Sequence, residues 1–463
     1  MKGKSNTSLV SDILIFTAGT VLTKVVQFFL MPLYTSFMTA DTYGIAELIN
    51  NFSDFLLPVA TLCVYEAAFR FAVDGHHDNR RVITAAWKLL SCSAAAGLLL
   101  ATLLRFSWRY SYYFFLILYA YAGRTVCGYY VRGKGLSVVF SLSGLLGAVL
   151  TAALNIFFLA FLGMKISGYL LALGLSHLGS MLYLFFAGRI YSEIRWREDS
   201  RLILKSLLTY SAPLILYNIG YWLTTLSGRY LLLWMTDAET VGIYAAVIKI
   251  AALLNMFQQA FYAALQLNAS RKFGDKGQED YYSEIFQYYL GILMPCASAA
   301  LCCTPLLAVF TLRNGFYAGR VYLPLIIYAS IVDCLFCFFK SMYTVYRKTA
   351  RTIPSIAIGA VVNVGACLTL IPRLRIWGVC TATLLCFLSQ SLYRAVDVSL
   401  FTGIPIPWKR VLSELALLGV QTYLLSVDAP RFVPYCACVT AGLCLRNLWM
   451  YRHALRALLR KGR

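Results

Sequence analysis

Charge is what this sequence has least of. Only 13% of its 463 residues are charged, and acids are the scarcer sign, with 20 Asp and Glu against 41 Lys and Arg. Soluble globular chains carry about 25% charged residues, so no water-soluble shell can be built from this set. Disordered, collagen-like and coiled-coil chains are excluded on the same composition. Histidine is scarce as well, at 4 residues, and His76-His77 is an isolated pair in a polar connection. No nucleophile–His–acid set, metal-ligand spacing or nucleotide motif is present. Enzymatic chemistry has no residues to rest on, and no cofactor or metal is expected.

What the chain does have is apolar surface: 60% hydrophobic residues, 15% aromatic, and a mean hydropathy of +0.69. With about 20 apolar residues needed per membrane span, that content suits about 14 spans. The 14 cysteines lie mostly inside apolar runs, as at Cys302-Cys303, Cys380 and Cys386. There they read as small packing residues. Cys436 and Cys438 form a C-x-C with no His or second Cys pair nearby, so zinc and a disulfide framework are not indicated. Lys2 and Lys4 precede an apolar run that reaches Leu30. That run is too long for a cleaved signal core and reads as a first helix.

Runs of spanning length cover 9–30, 44–69, 82–104, 110–130, 136–162, 166–186, 207–234, 241–267, 288–310, 322–343, 353–371 and 377–393. Two weaker runs follow at 412–425 and 432–449. They are continuous and lack period-2 alternation, which predicts helices rather than a barrel. The predicted fold is an all-α polytopic membrane protein. About 14 transmembrane helices form two six-helix bundles facing a central cavity, with a C-terminal helix pair. The predicted boundaries are 1–195 and 196–398 for the bundles and 399–463 for the pair and its basic tail.

The net charge of +21 falls into place along this pattern. Basic residues crowd into alternate connections at nearly four to one. Only Arg105, Arg109, Lys165, Arg313, Arg320, Arg373, Arg375 and Arg431 fall on the other face. The positive-inside rule makes the crowded face cytoplasmic, with both termini there. Nucleic acid is therefore not a partner. The Arg452–Arg463 tail is explained by anionic membrane lipid. The tight basic turn Tyr129–Gly135 lacks the strand and helix of a phosphate-binding loop.

The polar break at 188–206 separates two halves that resemble each other. Asp41-Thr42-Tyr43-Gly44-Ile45 is echoed by Glu239-Thr240-Val241-Gly242-Ile243. Gly147-Ala148-Val149 with Ile166-Ser167-Gly168 is echoed by Gly359-Ala360-Val361 with Ile376-Trp377-Gly378. Six intervening helices make these parallel repeats, an architecture for alternating access.

Charges within spans are costly and are functional candidates by default. Lys24, Arg229 and Lys249 are candidates for a cationic cavity, since an ammonium or guanidinium shielded from water suits an anion. Asp54, Glu66, Arg70 and Asp333 are candidates for ion coupling or ion pairing, and Glu66 and Arg70 stand i, i+4 on one helix face. The many Tyr and Phe residues fit an interfacial belt, and some could stack on sugar rings.

The ordered motifs resemble the polysaccharide-biosynthesis (O-antigen type) flippases of the multidrug/oligosaccharidyl-lipid/polysaccharide (MOP) superfamily. They are Phe28-Phe29-Leu30-Met31-Pro32-Leu33-Tyr34, Asp41-Thr42-Tyr43-Gly44, Ala68-Phe69-Arg70-Phe71, Tyr210-Ser211-Ala212-Pro213-Leu214, Ser227-Gly228-Arg229-Tyr230, Val241-Gly242-Ile243-Tyr244, Arg347-Lys348-Thr349, Asn363, Leu370-Ile371-Pro372 and Gly378–Thr383. The resemblance spans about 8–395. It implies a flippase for polyprenyl-pyrophosphate-linked oligosaccharide in the bacterial cytoplasmic (inner) membrane, driven by Na⁺, H⁺ or the membrane potential. Polysaccharide assembly partners are implied with it. The family has an acid just before the Arg of the seventh helix; here Gly228 stands there, which leaves Arg229 without that neighbour. A multidrug antiporter of the same superfamily would prefer an acidic cavity. An integral-membrane polymerase or glycosyltransferase would carry large, acid-bearing outer loops.

Overall fold

The computed structural model describes residues 23, 25–74, 78–252, 278–346, 348–427 and 432–450. The described residues are helical with no strand, and the chain divides into two compact units, Met1–Ala245 and Ala246–Arg463. Eight described helices are long and apolar enough to cross a membrane, or nine if a bent pair is counted as one span. Lys24, His76-His77 and most of the 9–30 run lie outside the described residues, as does the 241–267 run beyond residue 252.

In the first unit α1 covers Met31–Phe37, α2 Ala40–Thr61 and α3 Val64–Asp74. The single span expected over 44–69 is in fact α2 and α3, bent by 58°. Pro58 sits in the last turn of α2, where it supplies no N–H. Leu62 and Cys63 then take left-handed backbone (φ 47° and 54°), and Cys63 N donates back to Pro58 O at 3.1 Å. These bonds satisfy the α2 terminus and turn the chain.

Next come α4 (Asn79–Leu104), α5 (Ser111–Gly133), α6 (Ser137–Asn155) and α7 (Lys165–Ala187), with a π-helical turn at Ile156–Phe161 extending α6. Then follow α8 (Arg201–Thr225) and α9 (Ser227–Met235), and α10 (Ala238–Ala251) runs on across the unit boundary. The core gathers Tyr65, Val82, Ile83, Val126 and Tyr130 from α3, α4 and α5.

The polar segment expected to part the halves is a clamp on the first unit. Glu193 takes Lys134 Nζ at 2.6 Å and the Tyr130 hydroxyl at 2.5 Å, and Glu198 takes Arg81 Nε at 2.8 Å. Beyond it, α8 packs on α2, α3 and α4.

The paired motifs around Gly44 and Gly242 meet at the start of α2 and α10. A side chain on Gly44 would strike Ala238 O, and one on Gly242 would strike Ala40 O. Two helix backbones approach this closely only through residues without Cβ.

The second unit holds α11 (Gln278–Cys302), α12 (Thr304–Thr311), α13 (Leu323–Val345), α14 (Thr352–Leu374), α15 (Ile376–Thr402), α16 (Trp408–Ser426) and α17 (Phe432–Met450). The two weak runs at the C-terminus are thus both helices. They are fastened to α11 by buried polar contacts. Ser298 donates to Gln421 Oε1 at 2.9 Å, and Asn447 donates to Gly291 O at 2.9 Å. Glu414, fully buried, takes Arg410 at 3.0 Å and also pairs with Arg446.

Candidate functional site

The first unit carries its unusual chemistry on α2. This helix, which together with α3 is apolar enough to cross a membrane, holds Glu47, Asn51 and Asp54. Glu47 is 3% exposed. It lies at 4.0 Å from Arg229 Nη1 of α9 and accepts the Tyr169 hydroxyl of α7. Tyr34, Tyr43 and Tyr169 enclose it, with ring centroids 5.1–6.1 Å apart.

Arg229 is therefore not left bare by Gly228. Its carboxylate comes from a different helix, and Gly228 is buried. The acid lies one turn beyond Gly44, inside the expected second span. The rule that intramembrane charge marks a site applies to Glu47 as much as to Asp54.

Further along α2 an aromatic wall begins. Phe52 stacks on Phe55 (5.8 Å) and on Phe114 of α5 (5.6 Å). Phe55 meets Trp222 of α8 at 4.3 Å, and Trp222 meets Tyr230 of α9 at 5.2 Å. The Tyr230 hydroxyl donates to Leu48 O at 2.9 Å, tying α9 to α2. These rings are half-buried. Phe52 and Phe55 lie within α2, while Phe114, Trp222 and Tyr230 lie in the end turns of α5, α8 and α9.

Asp54, exposed on α2, adjoins the Tyr121 hydroxyl of α5 as a hydrogen-bond partner. One turn on, Arg124 Nη1 lies 3.1 Å from His177 Nδ1 of α7, and the Tyr121 and His177 rings are 5.0 Å apart. Counting basic residues by connection places Arg124 with the turn after the fourth span. The helix instead carries it nine residues, roughly 13 Å, back from Gly133, within the run expected to be the fourth span. His177 sits mid-way in the expected sixth span and is flagged by the same rule.

The expected Glu66–Arg70 pair is not formed. Arg70 instead reaches Asp74 at 3.0 Å, one turn further on. Glu66 turns to α5, where Tyr129 and Arg132 neighbour it. Lys249 is half-buried near the end of α10, and Asp333 is half-buried in α13. In the second unit Arg394 of α15 is 6% exposed. It donates to Gln390 Oε1 at 2.7 Å and to Ser355 Oγ at 3.1 Å. No group of three or more metal-type ligands occurs among the described residues.

Three solved structures share this fold. The lipid II flippase MurJ, in an inward closed conformation, aligns with 96% of this chain and 100% of its own at TM-score 0.68 and 12% identity. An inward-facing multidrug resistance MATE family transporter of the MOP superfamily aligns with 83% and 96% at TM-score 0.62 and 12% identity. A MOP superfamily transporter from Pyrococcus furiosus, described as having a binding pocket of reverse polarity, aligns with 84% and 95% at TM-score 0.53 and 17% identity. No curated protein sequence matches the chain. The polysaccharide biosynthesis protein family model matches residues 9–265. The chain, a multi-pass membrane protein by its long apolar helices and sharing the fold of these transporters, belongs to the polysaccharide biosynthesis protein family.

Proposed function

We propose that the protein carries a polyprenyl-pyrophosphate-linked oligosaccharide across the bacterial cytoplasmic membrane by alternating access, for surface polysaccharide export. The observation that carries this reading is the aromatic wall of Phe52, Phe55, Phe114, Trp222 and Tyr230. Such rings offer flat apolar faces to the C–H faces of sugars, with the Tyr hydroxyl and Trp N–H at their edges. Of the two acids deep in α2, Glu47 is engaged by Arg229 and Tyr169 and Asp54 by the Tyr121 hydroxyl, which does not favour a carrier of cationic drugs.

In this reading the lipid tail stays in the bilayer while the head group passes along the helices. Lys24 and Lys249 supply positive charge, and Asp54, Glu66 and Asp333 are the candidates for coupling to Na⁺ or H⁺. The basic face is cytoplasmic by the positive-inside rule. Deleting the gene is expected to abolish surface polysaccharide and to accumulate lipid-linked repeat units. Unchanged polysaccharide with no accumulation would overturn the proposal. Complementation with Trp222→Ala is expected to restore only part of the export.

A further inference from the structure

We infer that Arg124, oriented by His177, is the point at which the first unit grips the phosphate of its cargo. The inference rests on the flippase reading and adds to it the residue that meets the anion.

An arginine inside a membrane-spanning helix is retained at a cost. Arg229 offsets that cost with Glu47. Arg124 has no carboxylate in ion-pairing reach among the described residues, and its hydrogen-bond partner is His177 Nδ1 at 3.1 Å. A guanidinium only donates. The imidazole nitrogen facing it must accept, so that ring is neutral and carries its hydrogen on Nε2. The contact therefore orients Arg124 without cancelling its charge.

The other side of the guanidinium is fixed by absence of bulk. Gly147 of α6 lies against it, where a Cβ would stand 3.4 Å from Cζ and Nη1 and 2.7 Å from Ser180 Oγ. The Tyr121 ring packs against His177 at 5.0 Å, tilted by 33°. The planar fork is thus set between an imidazole and a helix backbone, with most of its five N–H groups uncommitted. Both Arg124 and His177 are only half-buried. Such a fork is matched to the paired oxygens of a phosphate.

The same glycine position is used differently in the second unit. There Gln390 lies across Gly359 and accepts from Arg394, which is enclosed and also bonded to Ser355. In the first unit Arg124 is half-buried and has no second side-chain acceptor among the described residues.

The chemistry recognised is a phosphate anion. The probes are farnesyl pyrophosphate, inorganic pyrophosphate and farnesol, titrated into the purified full-length chain in detergent. Wild type is expected to bind farnesyl pyrophosphate and to bind farnesol much more weakly. Arg124→Gln is expected to weaken farnesyl pyrophosphate about tenfold or more, and Arg124→Lys to fall between, since an ammonium has no fork. Farnesol binding stays unchanged in both. His177→Asn keeps an acceptor near the Nδ1 position and is expected to hold wild-type affinity, while His177→Leu loses about threefold to fivefold. Loss of inorganic pyrophosphate binding in Arg124→Gln would show that the phosphates alone are read. Thermal midpoints within a few degrees of wild type certify folding. Wild-type affinity for farnesyl pyrophosphate in a folded Arg124→Gln would overturn this site and leave the flippase reading standing. Failure of the wild type to bind farnesyl pyrophosphate at all would remove both.

Discussion

Two arginines of the first unit sit inside helices and have opposite fates. Arg229 meets a carboxylate, with Glu47 at 4.0 Å and three tyrosines closing over the pair. Arg124 meets an imidazole nitrogen instead of a carboxylate, and like Arg229 it is only half-buried. The first arrangement satisfies charge internally and ties α9 to α2. The second orients a charge and leaves it to be satisfied from outside. Placement within a membrane span is therefore only half of the criterion for a binding residue. The identity of its partner is the other half.

The sharpest way to separate the two is to remove the partner. Glu47→Gln should leave Arg229 buried without its counter-charge, a change that costs about 3–5 kcal/mol in comparable pairs. A large drop in the thermal midpoint of the detergent-solubilised protein is the measurement. Adding Arg229→Leu to a Glu47→Leu background should recover part of the loss, because the orphaned charge is then gone. A Glu47→Gln protein with the wild-type midpoint would contradict the bracing role.

How much of this could be read from residues alone divides along the same line. The helical, multi-span fold follows from long apolar runs, and most helix ends fall within a few residues of the runs. The DTYGI and ETVGI echo was visible in the sequence, and those two motifs do meet, through Gly44 and Gly242. The break after Thr61 was not legible, because it depends on two non-glycine residues, Leu62 and Cys63, taking left-handed backbone. Among the site residues, Arg229 stood out by its charge, but its partner did not. Glu47 is 182 residues away in sequence, and only the packing of α9 on α2 brings them together. Arg124 was masked by its nearness to the basic turn at Arg132 and Lys134. Assigning it by loop hid a helix position more than two turns deep.

The two glycine seats give a smaller and more selective contrast. In Gly359→Ala the new methyl collides with the Gln390 amide. Swinging that amide away deprives the buried Arg394 of an acceptor, worth about 1.5–3 kcal/mol for a charged donor. The expected signature is lost thermal stability with unaltered farnesyl pyrophosphate binding. In Gly147→Ala the methyl presses on Ser180 and the Arg124 guanidinium, at a strain cost of about 1–3 kcal/mol. Here the affinity for farnesyl pyrophosphate should fall along with stability. Equal effects on binding from both substitutions would erase the distinction between an open and a closed seat.

The smallest predicted effect is also the one with the unusual sign. Asp54 is exposed on α2 and adjoins Tyr121, whose ring packs against His177. Its negative charge opposes an anion arriving at Arg124, so neutralising it should improve binding. Through a partly wet interior the repulsion relieved is about 1 kcal/mol, or roughly fivefold in affinity. Asp54→Asn keeps the size of the side chain and a carbonyl that can still accept from Tyr121, so the ring stack and His177 should stay in place. Farnesyl pyrophosphate titrations at low and high salt provide the check, since a charge effect on a water-accessible face shrinks as salt rises. Tighter binding by Asp54→Asn at low salt, absent in an Asp54→Asn, Arg124→Gln double variant, would show that the carboxylate acts on the anion held at Arg124. If the single variant instead binds more weakly, Asp54 supports the site structurally, and the contrast between a paired Arg229 and an available Arg124 must be redrawn with Asp54 as a distant counter-charge.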